Sequence, residues 1–120
     1  MSHVVQIKAR VQDPAALAAA CRRLGLAEPI QGTAQLYSGE ATGLLVQLPG
    51  WHYPVVIDTA TGTIKYDNFE GRWGAQTHLD RLLQMYAVEK AKLEARKKGF
   101  VVSEQVIQGG SILVQIREAF

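Results

Sequence analysis

Three histidines are the first residues to consider for chemistry, because imidazole serves both as a metal ligand and as a general base. His3, His52 and His78 lie in separate segments, and the sequence contains no HxH, HxxxH or CxxC spacing. Metal sites normally place at least two ligands within a few residues of each other. The spacing therefore predicts surface or hydrogen-bonded histidines. We expect no zinc site and no cofactor.

The single cysteine is a second candidate, this time for nucleophilic chemistry. A reactive thiol needs exposure and a nearby base. Cys21 instead shares the apolar face of the first predicted helix with Leu17 and Leu24, which predicts a buried small hydrophobe. One cysteine also excludes an internal disulfide framework and is typical of a reducing compartment. We therefore expect a cytoplasmic protein.

Carboxylates in the middle of the chain could supply general acid–base catalysis. The candidates are Asp58, Asp67 and Glu70, with His52 nearby in sequence. Their spacing matches no catalytic motif, and the chain has neither a phosphate loop nor GxGxxG. We favour a non-enzymatic protein and keep a small enzyme using Asp58, Asp67 or His52 as a third hypothesis.

Aromatic residues in the same region have the composition of an interaction surface. Aromatic and arginine side chains are enriched at the centres of binding sites. The residues expected to contact a protein partner are Trp51, Tyr53, Phe69, Arg72 and Trp73. The alternative is that both tryptophans seal the edge of the core while Asp67 and Arg72 stay solvated. Partner binding is the leading hypothesis, and self-association through a sheet edge is a variant of it.

Positive charge is concentrated at the end of the second predicted helix, although the net charge of the chain is only +2. Cations at a helix C-terminus stabilise the helix dipole, which predicts a solvated face. The alternative function is RNA or phosphate binding through this helix end. Its binding residues would be Lys90, Lys92, Arg96, Lys97 and Lys98.

Hydrophobic periodicity predicts the elements that must position these residues. Alternating apolar and polar residues over 5–11 predict a strand with one buried face. Asp13, followed by proline, is a typical helix N-cap. The first helix is predicted over 14–24, and Gly25 ends it.

The chain between this helix and the aromatic region is expected to be mainly extended. The predicted features are a loop over 29–32, a strand over 33–37, a turn over 38–43 and a strand over 44–48. A hairpin follows. Its β-branched first strand, 55–57, has no polar residue and suits a central position in a sheet, and Gly62 closes the turn before the return strand 63–66.

The second helix is predicted from about 75 to 98, with an apolar stripe at spacings of three and four. Thr77 and Asp80 resemble a capping box, which offers Thr77 as an alternative start. Segments 100–107 and 111–117 then predict a terminal hairpin across two glycines. The order β-α-β-β-β-β-α-β-β predicts a single α+β domain over 1–120. Its sheet should be antiparallel or mixed, with both helices on one face.

Several short motifs, spread over nearly the whole chain, resemble one protein family. They are the opening Met1-Ser2-His3, Ser38 to Gly43, Pro49-Gly50-Trp51, Tyr53 to Val56, Tyr66-Asp67-Asn68 with Trp73-Gly74, Leu79-Asp80-Arg81 and Tyr86 to Ala91. Together they resemble a small bacterial and plastid family of unknown function, hypothetical chloroplast reading frame thirty-five. The resemblance implies a soluble intracellular protein that works beside an AAA-type ATPase. It implies no activity, cofactor or catalytic residue.

Overall fold

Two helices and seven strands follow one another in the predicted order in the computed structural model, which describes residues 4–118. The elements are β1 Val5–Lys8, α1 Pro14–Arg23, β2 Ile30–Leu36, β3 Gly39–Val46, β4 Val55–Asp58, β5 Thr63–Tyr66, α2 Gln76–Lys97, β6 Val101–Val106 and β7 Ile112–Arg117. The α+β class is confirmed. His3 lies outside the described residues.

Five strands form one antiparallel sheet in the order β1-β5-β4-β3-β2. The apolar run of β4 is central, as its composition predicted. Val55 and Ile57 point into the main core, while Val56 points to the opposite face. All three side chains are buried, because neighbouring residues of a strand face opposite sides of a sheet and here both sides are covered.

Both helices pack against one face of this sheet. Leu17 of α1 and Leu79 and Leu82 of α2 meet Val55 and Ile57 in a single core. Each of these side chains is at most 1% exposed. The apolar stripes of the two helices therefore cover the sheet, as the sequence pattern predicted.

A carboxylate and a phenol tie the start of α1 to α2. Asp13 Oδ1 accepts hydrogen bonds from the backbone N–H groups of Ala15 (3.0 Å) and Ala16 (3.3 Å), which confirms it as the N-cap. The Tyr86 hydroxyl oxygen accepts hydrogen bonds from the backbone N–H groups of Gln12 (3.2 Å) and Asp13 (3.1 Å). The cap and the helix–helix contact thus use the same residue.

The opposite oxygen of the same carboxylate forms an ion pair across the helix seam. Asp13 Oδ2 lies 3.0 Å from Lys90 Nζ, which also lies 2.8 Å from Glu94 Oε1. The hydrogen bond from Lys90 is the main cause that lowers the pKa of Asp13, and likewise that of Glu94. The pKa of Lys90 is raised in return, first by Glu94 and then by Asp13.

The turn predicted over 38–43 and the loop predicted over 29–32 are both too long. Only Tyr37 and Ser38 form the turn, and Pro29 lies before β2. The rest of both segments belongs to a long hairpin in which Gly32 pairs with Gly43. Gly43 lies inside β3. This position requires glycine, because a Cβ there would come within 2.5 Å of the Ile57 carbonyl oxygen. Its role is a close backbone approach rather than a turn.

This β2–β3 hairpin extends well past β4 and curls over the second face of the sheet. Ala34, Leu36 and Ala41 from its far half pack with Val56 and Tyr53. The facing glycines in both strands remove the side chains that would resist such a bend. The hairpin tip is thereby carried back toward the loops that surround the two tryptophans.

The capping box predicted at Thr77 is also wrong. The N-cap of α2 is Ala75, which has no capping side chain, and the helix begins at Gln76. The Ala75 carbonyl oxygen accepts a hydrogen bond from the indole Nε1 of Trp51 at 3.0 Å. A tertiary contact therefore helps position this helix start.

The terminal hairpin of β6 and β7 is confirmed, but it forms a separate two-stranded sheet. It is linked to the helices through Glu104, whose carboxylate pairs with Arg23 at 2.5 Å and with Lys92 at 3.1 Å. Burial raises the pKa of Glu104, but the hydrogen bonds from Arg23 and Lys92 outweigh burial and lower it. Within residues 4–118, no helix has the length and hydropathy needed to cross a membrane.

Candidate functional site

The first of the two tryptophans belongs to the core. Trp51 is 4% exposed, and its ring meets Tyr66 edge-on at a centroid distance of 5.8 Å. Gly74 lies against the indole so closely that a Cβ would come within 2.5 Å of the ring carbon Cγ. Trp51 was expected to contact a partner; this expectation is wrong, because the buried ring has no surface to offer.

The second tryptophan is the centre of a cluster of rings. Trp73 lies 4.7 Å from Phe69, 5.5 Å from Tyr37, 5.5 Å from His52 and 5.7 Å from Tyr53, measured between ring centroids. The interplanar angles are 39° to 74°, in the tilted and edge-to-face range that aromatic quadrupoles favour. Four of the predicted contact residues thus meet here, because Arg72 joins the cluster as well.

Arg72 covers the outer side of this cluster. Its guanidinium carbon Cζ lies 5.0 Å from the centroid of the Phe69 ring, within the range of a cation–π interaction. The side chain is exposed. It can therefore stack on an aromatic group or pair with a carboxylate of an incoming molecule. We call Tyr37, His52, Tyr53, Phe69, Arg72 and Trp73 the Trp73 surface.

Backbone hydrogen bonds fix the two loops that carry these rings. The His52 N–H donates to the Trp73 carbonyl oxygen at 2.7 Å, and the Trp73 N–H donates to the Asn68 carbonyl oxygen at 2.9 Å. The buried Asn68 amide donates to the Gly74 carbonyl oxygen and to Gln76 Oε1, both at 3.2 Å. The rings therefore rest on a preformed backbone.

The turn between Asn68 and Trp73 holds two side-chain-bearing residues in the left-handed region. Phe69 has φ 48° and Glu70 has φ 54°, a conformation that costs on the order of 1–3 kcal/mol per residue. Asp67, 1% exposed, accepts a hydrogen bond from the Phe69 N–H through Oδ1 at 3.3 Å. Its other oxygen, Oδ2, has no hydrogen-bond partner within residues 4–118. This turn is strained, and it presents Phe69 toward Trp73.

Two members of the Trp73 surface were missed by sequence reasoning. Tyr37 is 58% exposed and reaches Trp73 because the β2–β3 hairpin curls back. His52 was considered for metal binding and catalysis but not for stacking; it lies edge-on to Tyr53 at 4.6 Å. Only its neighbours in sequence, Trp51 and Tyr53, could have indicated this role.

The carboxylates considered for catalysis are divided between the two ends of the sheet, with Asp67 and Glu70 in one turn and Asp58 far from both. Asp58 caps the turn at one end of β4, where its Oδ1 accepts the Ala60 N–H at 3.0 Å. Asp67 follows β5 at the opposite end of the sheet. Within residues 4–118, no group of three or more His, Cys, Asp or Glu side chains could hold a metal ion.

Cys21 is buried, as its helical spacing predicted. Burial raises the pKa of its thiol to about 11. The thiol is therefore protonated near neutral pH, which is unsuited to nucleophilic attack.

Much of the basic helix end is engaged in ion pairs. Lys90 meets Asp13 and Glu94, and Lys92 lies 3.1 Å from both Glu89 and Glu104. Lys97 lies 3.5 Å from Glu94, while Arg96 and Lys98 are exposed. These contacts account structurally for three of the five cations. Nucleic-acid binding through the set stays a prediction.

Comparisons of the chain with protein-family models, with curated proteins and with solved structures found no match. The resemblance to the plastid and bacterial family therefore also stays a prediction.

Proposed function

We propose that this chain is a cytoplasmic, non-enzymatic accessory domain that binds a protein partner through the Trp73 surface. The observation that carries the proposal is the convergence of four aromatic side chains on Trp73, with Tyr37 58% exposed at the rim. Tryptophan, tyrosine and arginine are enriched among the few residues that supply most of the binding energy in protein interfaces.

The backbone beneath the rings is held in place, which lowers the cost of binding a partner. The bonds from His52 to Trp73 and from Trp73 to Asn68 hold the loops before any partner arrives. A preformed surface loses little conformational entropy on association. Rigid aromatic side chains, each with two rotatable bonds, add contact area at low entropic cost.

Arg72 supports a partner that carries acidic or aromatic groups beside its apolar contact. The guanidinium is exposed and already stacks on Phe69, so it meets a partner in a fixed orientation. The family resemblance makes an AAA-type ATPase the first partner to test.

The test is capture of partners from a native extract with four tagged forms of the chain, read by quantitative mass spectrometry. These are the wild type, Trp73→Ala, Tyr37→Ala and the control Arg22→Ala, which removes an exposed arginine from α1. We expect a nuclease-resistant, stoichiometric partner that both ring variants lose at least tenfold. The control should retain it. Equal retention by all four forms would overturn the proposal.

Circular dichroism and thermal melts of the same variants separate binding from folding. Tyr37→Ala removes a mostly exposed ring, so its melting temperature should stay close to that of the wild type. A Tyr37→Ala variant that unfolds would assign the ring to the core. Direct titration of purified chain with a candidate ATPase should then give the same ranking of variants.

A further inference from the structure

The terminal hairpin carries much of the exposed aliphatic surface. Of the seven large hydrophobic side chains that are exposed within residues 4–118, five lie on or beside β6 and β7. They are Val101, Val106, Ile107, Leu113 and Ile116. An isolated two-stranded hairpin is marginally stable in water, so this surface calls for a cover.

The register of the hairpin divides its side chains into two faces. Residues directly opposite each other share a face, so β7 places Ile112, Val114 and Ile116 on the same side as Glu104 of β6. This inner face is the one turned toward the helices, where Glu104 pairs with Arg23 and Lys92. Leu113 and Gln115 lie on the outer face.

The helices cover the inner face incompletely. Ile116 is 49% exposed and Val106 is 70% exposed. A groove of about 420 Å³ opens between the hairpin tip and the helices, with Ile112 and Met85 among its lining residues. Part of the apolar row of β7, which is itself an edge strand, therefore remains uncovered by the helices.

The two free edges of the hairpin differ in what they could pair with. β7 contains no proline, no glycine and no charge before Arg117, so it lacks the usual protection against strand addition. β6 carries Glu104 on the inner face. If β6 paired with β6 of a second copy, Glu104 would lie opposite Val102 or opposite the second Glu104. Of the two edge strands of the main sheet, β1 is short and contains Lys8, and β2 is interrupted by Gly32. β7 is the edge best suited to a second strand.

β7 is also complementary to itself. If two copies pair antiparallel about Val114, Val114 lies opposite its own copy and Ile112 lies opposite Ile116 of the second chain. The inner row is then aliphatic at every position. Such an arrangement is isologous and closes after two subunits.

We propose that β7 is a dimerisation strand, which pairs antiparallel with β7 of a second copy of this chain about Val114. The two hairpins then form one four-stranded sheet, in which the two β7 strands share an aliphatic row on the inner face, with Glu104 of each β6 beside it.

A cysteine scan tests the register. In Val114→Cys the two new thiols face each other, with Cα atoms about 4.5–5.5 Å apart, within disulfide range. In Gln115→Cys they lie on a diagonal of about 7–8 Å, which is beyond easy bridging. Mild oxidation should link Val114→Cys into dimers and leave Gln115→Cys unlinked. The wild type, whose Cys21 is buried, should also stay unlinked.

A pair of charge variants on one strand tests the interface without cysteines. Ile116→Glu places a carboxylate in the aliphatic row, while Leu113→Glu places it on the outer face of the same strand. Sedimentation of the wild type should give twice the 13.2 kDa of one chain. Leu113→Glu should do the same, and Ile116→Glu should sediment as a single chain. Circular dichroism of each variant checks that the chain remains folded.

Three results would overturn the proposal. They are a wild type that stays monomeric at every concentration tested, equal weakening by the two charge variants, or linking of Gln115→Cys as readily as Val114→Cys. None of these bears on the Trp73 surface, so the dimer and the partner-binding proposal can fail independently.

Discussion

Trp51 and Trp73 lie in neighbouring loops at the same end of the sheet, yet their environments are opposite. The Trp51 ring is 4% exposed and its N–H donates to the Ala75 carbonyl oxygen. Trp73 uses its backbone to hold the loops and leaves its half-buried ring among surface aromatics. The first ring is therefore part of the core, while the second remains partly accessible at the surface.

The largest expected effect is the loss of the Trp51 ring. Trp51→Ala empties a core position and should lower the free energy of unfolding by about 3–5 kcal/mol. Trp51→Phe keeps most of the volume but removes the hydrogen bond to Ala75, and should cost about 1 kcal/mol more than the repacking alone. Urea denaturation of both variants measures this. A Trp51→Ala variant as stable as the wild type would remove the contrast between the two rings.

Gly74→Ala tests the same packing from the backbone side. The added Cβ would meet the Trp51 ring within 2.5 Å, so overpacking should cost about 1–3 kcal/mol. The matched control is Gly109→Ala in the terminal hairpin, where a Cβ meets no atom within 4 Å but φ is 88°. Denaturation curves should show that Gly74→Ala costs more than this backbone strain alone.

A third prediction concerns the contact between α1 and α2. Unlike the two tryptophan loops, this contact contains an ion pair, between Asp13 and Lys90. Asp13→Ala removes the N-cap and the Lys90 pair and should cost about 1 kcal/mol or somewhat more. Asp13→Asn keeps a capping oxygen and loses only the ion pair. The pKa of Asp13 is lowered on folding, so the pair stabilises the fold above the unfolded pKa of about 3.9 and is lost as pH falls through the folded value.

The stability difference between wild type and Asp13→Asn should therefore disappear in acid, while Asp13→Ala should remain less stable. Lys90 affects stability at high pH. Its raised pKa means a contribution that is present below about 10.4 and is lost as pH rises through the folded value. Thermal melts across pH measure both trends. A difference that grows in acid would contradict the assignment.

Of the two tryptophans, Trp73 should matter less for stability. Trp73→Ala removes ring pairs worth about 0.5–1.5 kcal/mol each when they are well ordered, but these pairs lie at the surface and the Trp51 core stays intact. The melt should remain cooperative. A loss as large as that of Trp51→Ala would place both rings in one structural unit and weaken the case for recognition.

Local patterns in the sequence were sufficient for much of the fold. The run Val55 to Ile57 indicated a central strand because nothing polar interrupts it, and Asp13-Pro14 indicated a helix start. The roles of the glycines were harder to predict from the sequence. Gly62 closes a turn with φ 78°, but Gly43 lies within a strand where the Ile57 carbonyl approaches. A sequence does not distinguish these two uses of glycine.

The site was less accessible to sequence reasoning, for a physical reason. Both loops place a tryptophan beside a glycine and other aromatic residues, and the tertiary contact of Gly74 with the buried Trp51 ring does not appear in the local sequence. Tyr37 joins the surface through the curl of a hairpin that the sequence did not reveal. The residues that long-range contacts bring together cannot be identified from their neighbours in sequence.

The order of strands in the main sheet has a consequence for synthesis of the protein. β1 is made before the other strands, but its pairing partner β5 follows about sixty residues later. Hairpins β2–β3 and β4–β5 join neighbours in sequence and can form as the chain emerges, because short loops close at low entropic cost. The N-terminal strand must wait, with its apolar face uncovered, and docks onto an assembled edge. Translation pauses placed after residue 66 has emerged from the ribosome would therefore favour correct docking more than pauses placed before that point.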